Sequence, residues 1–423
     1  MKEFTVKVEF SDLSGSLSAP SSKSMMIRAL AGAWLAEGKS RIFRPSRCRD
    51  AMDVSRTLIE NGVRISREED MWEIDGGTDI YPESVIDVGE SGLGARLFIP
   101  LAARYAHPVT IQGAGSLLQR PVNMVTGPLT QLGIDVQTSG GYLPVTVKGP
   151  LKGGKVTADG SQGSQFITGL LMALPLAATD SVLTVQSLRS RPYVDLTIEV
   201  LSLFGIYIPE HNPDIFTIPG NQHYQATDIT IEGDWSGAAF LLVAAAIAGE
   251  VTVAGLNPGS RQADRMILDV LKKAGVSFRV AGDEVTVSSG HLRPFDFDIT
   301  HCPDLAPPLL ALAAYAEGTS VLSGAGRLLT KESNRAETLS REAGNLGVRV
   351  EQTGDTLVIH GGKVNGGKVH AHNDHRIAMA AAVMGLHARK PVIIDNASCV
   401  EKSYPQFFED FKKLGAKVYQ ESY

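Results

Sequence analysis

The chain has 423 residues, enough for two or three domains that each bury a core. A net charge of −6 argues against binding of nucleic acid or an anionic membrane through bulk charge. Three widely separated cysteines, Cys48, Cys302 and Cys399, predict free thiols rather than a disulfide framework. The apolar run 237–249 is shorter than the roughly 20 residues that cross a bilayer, so we expect a soluble, cytoplasmic protein.

The N-terminal segment MKEFTVKVEF alternates as a strand does, and a phrase of helix, glycine and alternating strand then recurs six times. In chain order the copies read LIENGVRI, LTQLGIDV, LSLFGIYI, LKKAGVSF, GNLGVRV and KKLGAKV. Their glycines lie 68 to 72 residues apart, at Gly62, Gly133, Gly205, Gly275, Gly347 and Gly415. Because glycine directly after a helix usually takes the left-handed conformation, the repeat predicts six helix ends, each followed by a strand.

Each copy also contains a second helix that is apolar on almost every side. In chain order these read KSMMIRALAGAWLAEG, SGLGARLFIPLAAR, SQFITGLLMALPLAA, SGAAFLLVAAAIAGE, LAPPLLALAAYAEG and HRIAMAAAVMGLHA. Helices without a polar face belong in the interior of a protein. We therefore predict an α/β fold of six strand-and-two-helix units, with one helix of each unit buried and the other covering a sheet. Two groups of three units would separate near residues 221–228.

Small or charged residues stand at the N-terminal ends of most of these buried helices. They are Lys23 and Ser24; Glu90, Ser91 and Gly92; Ser164 and Gln165; Asp234 and Ser236; Asp304; and Asn373, Asp374, His375 and Arg376. Helix starts present free N–H groups and a partial positive charge, so several that point the same way would form an anion pocket. A capped helix with snorkelling cations is the alternative interpretation, and for Lys23 alone it is the favoured one.

Further cations lie in loops or at predicted helix starts. They are Arg120, Arg191, Lys331, Arg335 and Lys402. Each of them singly fits a solvated helix start, but together they suit carboxylates and phosphates. The carboxylates Asp304 and Glu332 beside them could either neutralise the cations or act as a general acid or base. The residues alone leave both possibilities open.

Two further motifs give only weak evidence for a cofactor site or a metal site. GESGLGAR misses the glycine spacing of a dinucleotide site. HAHNDH contains His370, His372 and His375, but without a partner cluster elsewhere in the sequence a zinc site there is a poor alternative. We therefore expect neither a cofactor nor a metal.

The segments SKSMMIRAL, QRPV, GSQFITGLLMALPLA, SRPYVD, KESNRAE, NDHRIAMA and EKSYPQFF follow one another as the signature segments of 5-enolpyruvylshikimate 3-phosphate synthases do. The chain resembles this family from about residue 15 to its end. The resemblance implies two similar domains, each of three repeated units with buried parallel helices, in an inside-out α/β barrel. It implies a discontinuous domain of residues 1–19 and 228–423, a second domain of residues 20–227, and an active site in the cleft between them.

The resemblance implies an activity in the shikimate pathway of aromatic amino-acid biosynthesis. The carboxyvinyl group of phosphoenolpyruvate would pass to the 5-hydroxyl of shikimate 3-phosphate through a tetrahedral intermediate, with release of phosphate. A monomer without cofactor, nucleic acid or membrane partner is expected. One alternative is enolpyruvyl transfer to UDP-N-acetylglucosamine, whose enzyme usually has a cysteine where this chain has Gly115. Another is a non-catalytic protein that binds anions or RNA ends.

The resemblance also assigns residues to the two substrates. For shikimate 3-phosphate it assigns Lys23, Ser24, Arg28, Ser164, Gln165, Ser190, Tyr193, Asp304 and Lys331. For phosphoenolpyruvate it assigns Lys23, Gly92, Arg120, Gln165, Arg335, Arg376 and Lys402. It further implies that Asp304 takes the 5-hydroxyl proton, and that Glu332, with Lys23, exchanges a proton with the methylene carbon.

Several positions depart from the family pattern. Residues 90–93 read ESGL where Asn-Ala-Gly-Thr is usual, so we expect Glu90 to place a negative charge near the phosphoenolpyruvate pocket. Gly163 replaces one serine of a pair and would remove a hydrogen bond to phosphate. Asn334 stands where aspartate is common, and Arg327 where asparagine is common. These changes predict altered substrate affinity with the same reaction.

Overall fold

The computed structural model describes residues 3–77, 79, 84–209 and 212–422, so Met1 and Lys2 of the predicted first strand lie outside the described residues. The α-helices of these residues are α1 (Lys23–Leu35), α2 (Arg49–Glu60), α3 (Gly92–Ala102), α4 (Thr126–Gln131), α5 (Gln165–Ala173), α6 (Arg191–Leu203), α7 (Trp235–Ala248), α8 (Ile267–Lys273), α9 (Ala306–Tyr315), α10 (Arg335–Asn345), α11 (His375–Gly385) and α12 (Phe407–Lys413).

Strands alternate with these helices along the whole chain. They are β1 (Phe4–Glu9), β2 (Leu13–Ser18), β3 (Gly38–Phe43), β4 (Arg64–Arg67), β5 (Met71–Gly76), β6 (Val85–Asp87), β7 (Val109–Gln112), β8 (Asp135–Ser139), β9 (Tyr142–Lys148), β10 (Gly154–Asp159), β11 (Ser181–Gln186), β12 (Ile215–Ile218), β13 (Asp228–Thr230), β14 (Gly249–Ala254), β15 (Ser277–Ala281), β16 (Glu284–Ser288), β17 (Asp296–Asp298), β18 (Gly318–Ser323), β19 (Arg349–Thr353), β20 (Thr356–Gly361), β21 (Gly367–His370), β22 (Val392–Asp395) and β23 (Lys417–Ser422).

The chain divides into two compact units. The discontinuous unit comprises Met1–Pro20 and Glu232–Tyr423, and the continuous unit comprises Ser21–Ile231. The sequence placed the second boundary at residue 228, which is too early. Strand β13 pairs in parallel with β3, with Ile229 opposite Ile42, so it belongs to the continuous unit.

The continuous unit contains three sheets, with strand orders β13-β3-β5-β4, β6-β7-β9-β8 and β10-β11-β12. The second sheet shows the repeated arrangement most completely. Strands β6 and β7 are parallel and are connected through α3, while β8 and β9 form an antiparallel hairpin. The parallel pair β10 and β11 is connected through α5 in the same way. A helical crossover between parallel strands is the connection that the predicted repeat requires.

The discontinuous unit also contains three sheets, with orders β15-β16-β14-β2, β17-β18-β20-β19 and β21-β22-β1-β23. The N-terminal segment completes two of them. Strand β1 pairs with both β22 and β23, and β2 lies parallel to β14. The first 20 residues are therefore part of the sheets that the C-terminal half forms.

One helix of each repeat is buried on every side, as the sequence predicts. All residues of α3, α7 and α11 are buried, and α1, α5 and α9 are buried except near an end. The companion helices are amphipathic; α2, for example, buries Ala51, Val54 and Leu58. None of the helices in the described residues is long and apolar enough to cross a membrane.

The six repeat glycines all have positive φ angles, which confirms the predicted left-handed helix ends. The angles are 91° at Gly62, 78° at Gly133, 76° at Gly205, 76° at Gly275, 84° at Gly347 and 106° at Gly415. The α/β class, the sixfold repeat and the buried helices were thus all predictable from the sequence.

Candidate active site

Helix α1 starts with a hydrogen-bonded cap and a buried ion pair. The Ser22 hydroxyl accepts a hydrogen bond from the backbone N–H of Met25 at 3.3 Å. The ammonium of Lys23 lies 3.0 Å from Oδ2 of Asp50, which is buried in the first turn of α2. Lys23 is therefore held by a carboxylate that the sequence analysis did not identify.

Arg28 is buried, and within the part of the chain that the structure describes it donates hydrogen bonds only to uncharged oxygens. Its Nε donates to Thr197 Oγ1 at 2.9 Å, and its Nη2 donates to Thr168 Oγ1 at 3.0 Å. The backbone carbonyls of Ser24 and Tyr193 accept from Nη1 and Nη2 at 2.8 and 3.2 Å. The structure thus brings together the predicted residues Ser24, Arg28 and Tyr193, and adds two threonines that the sequence did not indicate.

The charge on Arg28 has no counter-ion among the described residues. Burial lowers the pKa of this guanidinium to about 10, so it still carries its charge at neutral pH. A buried charge without an opposite partner is costly, and an incoming anion removes that cost. The environment of Arg28 therefore favours binding of an anionic ligand.

The predicted residues Ser164, Gln165 and Ser190 stand at the starts of the two helices that hold Arg28. Ser164 precedes α5, which begins at Gln165 and carries Thr168 one turn later. Ser190 precedes α6 in the left-handed conformation, with φ 54°. Neither serine hydroxyl caps its helix. The starts of α5 and α6 therefore lie next to the buried cation.

Gly92 and Arg120, both predicted to bind phosphoenolpyruvate, are in close contact. Helix α3 begins at Gly92, and the Ser91 hydroxyl caps it by accepting from the N–H of Gly94 at 3.1 Å. A Cβ atom at Gly92 would lie 2.5 Å from Nη1 of Arg120. The guanidinium of Arg120 therefore lies against the start of α3, where only glycine leaves room for it.

Glu90 is bound by the turn that follows β7. Its Oε2 accepts hydrogen bonds from the backbone N–H and the hydroxyl of Ser116, at 3.3 and 3.1 Å. A Cβ atom at Gly115, where φ is 55°, would lie 2.4 Å from the carboxyl carbon of Glu90. Its carboxylate is therefore tied to the Gly115–Gln119 turn that leads to Arg120, and its effect on affinity stays a prediction.

In the discontinuous unit, Asp304 is surrounded by three cations. Its Oδ1 lies 3.3 Å from Nζ of Lys331 and 2.8 Å from Nη1 of Arg335, and its Oδ2 lies 3.2 Å from Nη2 of Arg376. Burial by itself raises the pKa of Asp304, but Arg376, Lys331 and Arg335 outweigh burial and hold this pKa well below its usual value. Asp304 is thus ionised.

The neighbouring cations respond to the same burial in different ways. Burial lowers the pKa of Lys331 to about 8, and the charge of Asp304 only partly opposes that effect. For Arg335, burial is outweighed by Asp374, Glu332 and Asp304, so its pKa is raised. Lys331 is therefore the cation of this group whose charge changes near neutral pH.

Arg335 joins Glu332 and Asp374 to the same cluster. Its Nε donates to Oδ2 of Asp374 at 2.7 Å, and its Nη2 donates to Oδ1 of Asp374 at 3.1 Å and to Oε2 of Glu332 at 2.5 Å. Asp374 also caps α11 by accepting from the N–H of Arg376 at 3.1 Å. The sequence places Asp374 at a predicted helix start but does not indicate that it forms an ion pair with Arg335.

Arg376 keeps donors available for a ligand. Its Nε and Nη1 are buried and have no hydrogen-bond partner among the described residues. Buried donors without protein partners are rare in folded proteins, so these donors of a cation suit an anionic ligand. Lys402 is buried at the end of the 3₁₀ turn Ala397–Lys402, which packs against α11.

Asn334 and Arg327, which also depart from the family pattern, have local structural roles. Asn334 still caps α10, because its Oδ1 accepts from the N–H of Glu337 at 3.4 Å. The charge of Arg327 is one of the effects that lower the pKa of Lys331.

His372, one of the histidines of the HAHNDH motif, bonds to Glu342 at 2.8 Å. Within the part of the chain that the structure describes, no three histidine, cysteine or acidic side chains are arranged to hold a metal.

These arrangements can be compared with known proteins. A sequence model of the family EPSP synthase (3-phosphoshikimate 1-carboxyvinyltransferase) matches residues 8–411. The chain belongs to the EPSP synthase family. A 3-phosphoshikimate 1-carboxyvinyltransferase from Clostridium kluyveri is 37% identical over 416 residues, covering 98% of each chain. One from Methanosarcina acetivorans is 40% identical over 428 residues, covering 98% of this chain and 99% of its own.

Solved structures agree with membership of the EPSP synthase family. An EPSP synthase from Acinetobacter baumannii superposes with a TM-score of 0.82 at 26% identity, over 99% of this chain and 100% of its own. The enolpyruvyl transferase NikO from Streptomyces tendae reaches a TM-score of 0.80 at 18% identity, over 100% of this chain and 99% of its own, which shows the fold alone. The two-domain α/β fold predicted from the resemblance to EPSP synthases is thereby confirmed.

Proposed function

We propose that this chain transfers the carboxyvinyl group of phosphoenolpyruvate to the 5-hydroxyl of shikimate 3-phosphate and releases phosphate. Membership of the EPSP synthase family makes the chain a transferase of the shikimate pathway. The observation that carries the proposal for the site is the state of two buried arginines. Among the described residues, Arg28 has no carboxylate partner and the Nε and Nη1 donors of Arg376 have no hydrogen-bond partner, so both arginines suit substrates that carry phosphate and carboxylate groups.

We assign the predicted residues to the two substrates, with Lys23 and Gln165 assigned to both. Shikimate 3-phosphate is bound by Lys23, Ser24, Arg28, Ser164, Gln165, Ser190, Tyr193, Asp304 and Lys331. Phosphoenolpyruvate is bound by Lys23, Gly92, Arg120, Gln165, Arg335, Arg376 and Lys402. Support comes from the contacts that join Ser24, Arg28 and Tyr193, and from the close approach of Arg120 to Gly92.

The reaction requires two proton transfers at carbon and one at oxygen. The 5-hydroxyl oxygen forms a bond to C2 of phosphoenolpyruvate and gives its proton to Asp304, while C3 receives a proton and becomes a methyl group. In the second step the bond from C2 to the phosphate oxygen breaks, the phosphate leaves with the proton that Asp304 had accepted, and C3 returns a proton. Glu332, with Lys23, exchanges the proton at C3, and the fixed cations stabilise the charge that develops.

The low pKa of Asp304 determines how readily this carboxylate accepts a proton in the proposed reaction. An ionised carboxylate accepts a hydrogen bond from a hydroxyl, but a carboxylate paired with three cations is a weak base. Asp304 becomes a stronger proton acceptor when the substrate anions draw Lys331 and Arg376 away from it. Proton transfer from the 5-hydroxyl therefore depends on both substrates being bound.

Transfer to UDP-N-acetylglucosamine is the less favoured function. That enzyme usually has a cysteine where this chain has Gly115. Here a side chain at Gly115 would meet the carboxyl group of Glu90, and the backbone has φ 55°, which disfavours any residue with a Cβ atom. The relatives reported above carry the name of the shikimate 3-phosphate enzyme.

Phosphate release with each acceptor tests the proposed function. The purified chain is mixed with phosphoenolpyruvate and either shikimate 3-phosphate or UDP-N-acetylglucosamine. We expect release only with shikimate 3-phosphate, and a rate at least about 10²-fold lower in Arg376→Ala, because that variant loses charge stabilisation in the transition state. No release with shikimate 3-phosphate, or equal release with both acceptors, overturns the proposal.

We also propose a cytoplasmic location and a monomeric state. All three cysteines are buried in the structure, and Cys48 and Cys302 are free thiols, which suits a reducing compartment. Light scattering measures the mass in solution. A mass of one chain supports the monomer, and a mass of two chains contradicts it.

A further inference from the structure

Asp374 makes more contacts than a helix cap needs. Its carboxylate is fully buried, and both oxygens accept from the guanidinium of Arg335, at 2.7 and 3.1 Å. One of these oxygens also accepts from the Ser333 hydroxyl at 3.0 Å, and the other accepts from the N–H of Arg376 at 3.1 Å. A single side chain therefore connects the start of α10 to the start of α11.

The donors of Arg335 are almost completely used by carboxylates. An arginine has five N–H groups in a rigid plane. Four of them donate to described residues: two to Asp374, one to Glu332 and one to Asp304. The two bonds to Asp374 fix the plane, because a bidentate pair sets both the position and the orientation of a guanidinium.

We propose that Asp374 is a positioning residue, which fixes the guanidinium of Arg335 so that Arg335 can present its outer N–H groups to Asp304 and Glu332. The role rests on the proposed function, since it acts on the two carboxylates that exchange protons there. Asp374 works through Arg335, and it also begins α11 directly before Arg376.

The pH dependence of the reaction reports this role. Several groups act electrostatically on Asp304 or on its neighbours: Lys331, Arg335, Arg376, Glu332, Arg327, Asp264, Asp234 and Cys302. His375 lies 4.0 Å from Asp374. When Arg335 is no longer held, Asp304 loses part of the effect that keeps its pKa low. Its pKa rises, so activity is lost at a higher pH on the acid side.

Asp374→Asn is the variant that separates positioning from capping. Asparagine caps helices as well as aspartate does, but it cannot form the charged bidentate pair with Arg335. We expect a lower melting temperature, because a buried ion pair is broken, together with a kcat about 10²-fold lower and an acid-side midpoint at higher pH. An unchanged kcat and midpoint overturn the proposal.

Asp234→Asn is the matched control. Asp234 caps α7 by accepting from the N–H groups of Ser236 and Gly237, and its charge helps to raise the pKa of Arg376. We expect its acid-side midpoint to move less than in Asp374→Asn, because the bidentate pair of Asp374 with Arg335 stays intact in this variant. If this midpoint moves as far as in Asp374→Asn, the shift reports the loss of any capping charge and the proposal is wrong.

A double variant and an NMR measurement complete the test. If Asp374 acts through Arg335, Asp374→Asn produces no further shift of the midpoint in an Arg335→Lys background, whereas additive shifts contradict the proposal. In the unaltered protein the Arg335 Nε–H signal, assigned by its loss in Arg335→Lys, should persist at pH 8. Its absence overturns the positioning role even if Asp374→Asn fails to fold or the chain shows no transferase activity.

Discussion

The buried guanidinium of Arg28 is held by hydroxyls and carbonyls, and it carries a charge that no described carboxylate balances. In Arg28→Met the binding of shikimate 3-phosphate should weaken about 10- to 100-fold, the equivalent of one charged hydrogen bond. The free energy of unfolding should change by less than about 1 kcal/mol, because relief of the buried charge offsets the lost hydrogen bonds. Calorimetric titration and urea unfolding measure the two quantities.

Arg104→Met is the matched control for Arg28→Met. The guanidinium of Arg104 lies over the rings of Trp34 and Tyr105, at 5.0 and 4.6 Å, in the same unit. This variant should lose stability while binding shikimate 3-phosphate normally. If Arg28→Met binds within twofold of the unaltered protein, or if Arg104→Met weakens binding equally, the role of Arg28 is contradicted.

Lys331 should couple ligand binding to proton uptake. Its pKa of about 8 leaves about half of the molecules uncharged at this residue at pH 8. An anion bound beside it raises the pKa, so the uncharged fraction takes up a proton. Titration of shikimate 3-phosphate at pH 8 in Tris and in HEPES should therefore give different heats, corresponding to uptake of about half a proton.

Lys331→Arg is the control for this titration, since arginine stays charged at pH 8. The variant should bind with the same heat in both buffers after correction for the phosphate group of the ligand. Buffer-independent heats in the unaltered protein would show that Lys331 is already fully protonated.

The sequence indicated the cations and the carboxylates Asp304 and Glu332 beside them, but it did not indicate the partners of Lys23 and Arg28. Asp50 lies 27 residues from Lys23, and Thr197 lies 169 residues from Arg28. Nothing local to either cation indicates these neighbours, because tertiary packing brings them together. The hydrogen bonds of Glu90 to Ser116 likewise depend on a turn that only the fold defines.

At the level of the elements, the repeat glycines should differ in what they cost when replaced. Gly275 and Gly347 follow α8 and α10 at φ 76° and 84°. A Cβ at Gly275 meets the Arg293 side chain at an ordinary 3.4 Å, so Gly275→Ala should cost only the backbone strain, about 1–2 kcal/mol. At Gly347 it would lie 2.3 Å from Nδ2 of Asn365, so Gly347→Ala should cost more.

Gly344→Ala is the control for the repeat glycines, because Gly344 lies inside α10 and a Cβ there meets nothing within 4 Å. It should stabilise the protein by up to about 1 kcal/mol, the helix preference of alanine over glycine. Urea unfolding of the three variants gives the order. Equal losses for Gly275→Ala and Gly347→Ala would contradict the steric part of the argument.

The elements were largely predictable because each one is encoded locally. The buried helices are apolar on all sides and the helix ends carry glycine, so both signals are complete within about twenty residues. The order of the strands in each sheet is different. Strand β1 pairs with Val392–Asp395 and Lys417–Ser422, and no periodicity in the sequence specifies that pairing.

For the whole molecule, the pairing of β1 with β23 predicts that the discontinuous unit can be made continuous. Phe4 lies opposite Ser422, so the ends of the described chain are adjacent. Residues 232–422 joined by a short glycine–serine linker to residues 3–20 should fold and melt cooperatively. Residues 232–423 alone lack β1 and β2, which complete two sheets, and should not melt cooperatively.

Circular dichroism during heating compares the two proteins. Equal cooperative melting of both would show that β1 and β2 are dispensable.

The division into two units was foreseeable from the number of repeats, whereas its second boundary was not. Strand β13 is only three residues long, and its pairing with β3 decides to which unit residues 228–231 belong.

Transfer of a carboxyvinyl group by addition and elimination breaks the bond between C2 of phosphoenolpyruvate and its bridging oxygen. Phosphoenolpyruvate labelled with ¹⁸O at the oxygen that bridges C2 and phosphorus tests this transfer directly, with shikimate 3-phosphate as the acceptor. Because the bond from C2 to that oxygen breaks, we expect that the label leaves in the released phosphate and that the acceptor gains a carboxyvinyl ether. Phosphate without the label, or an acceptor that gains a phosphoryl group, would contradict carboxyvinyl transfer.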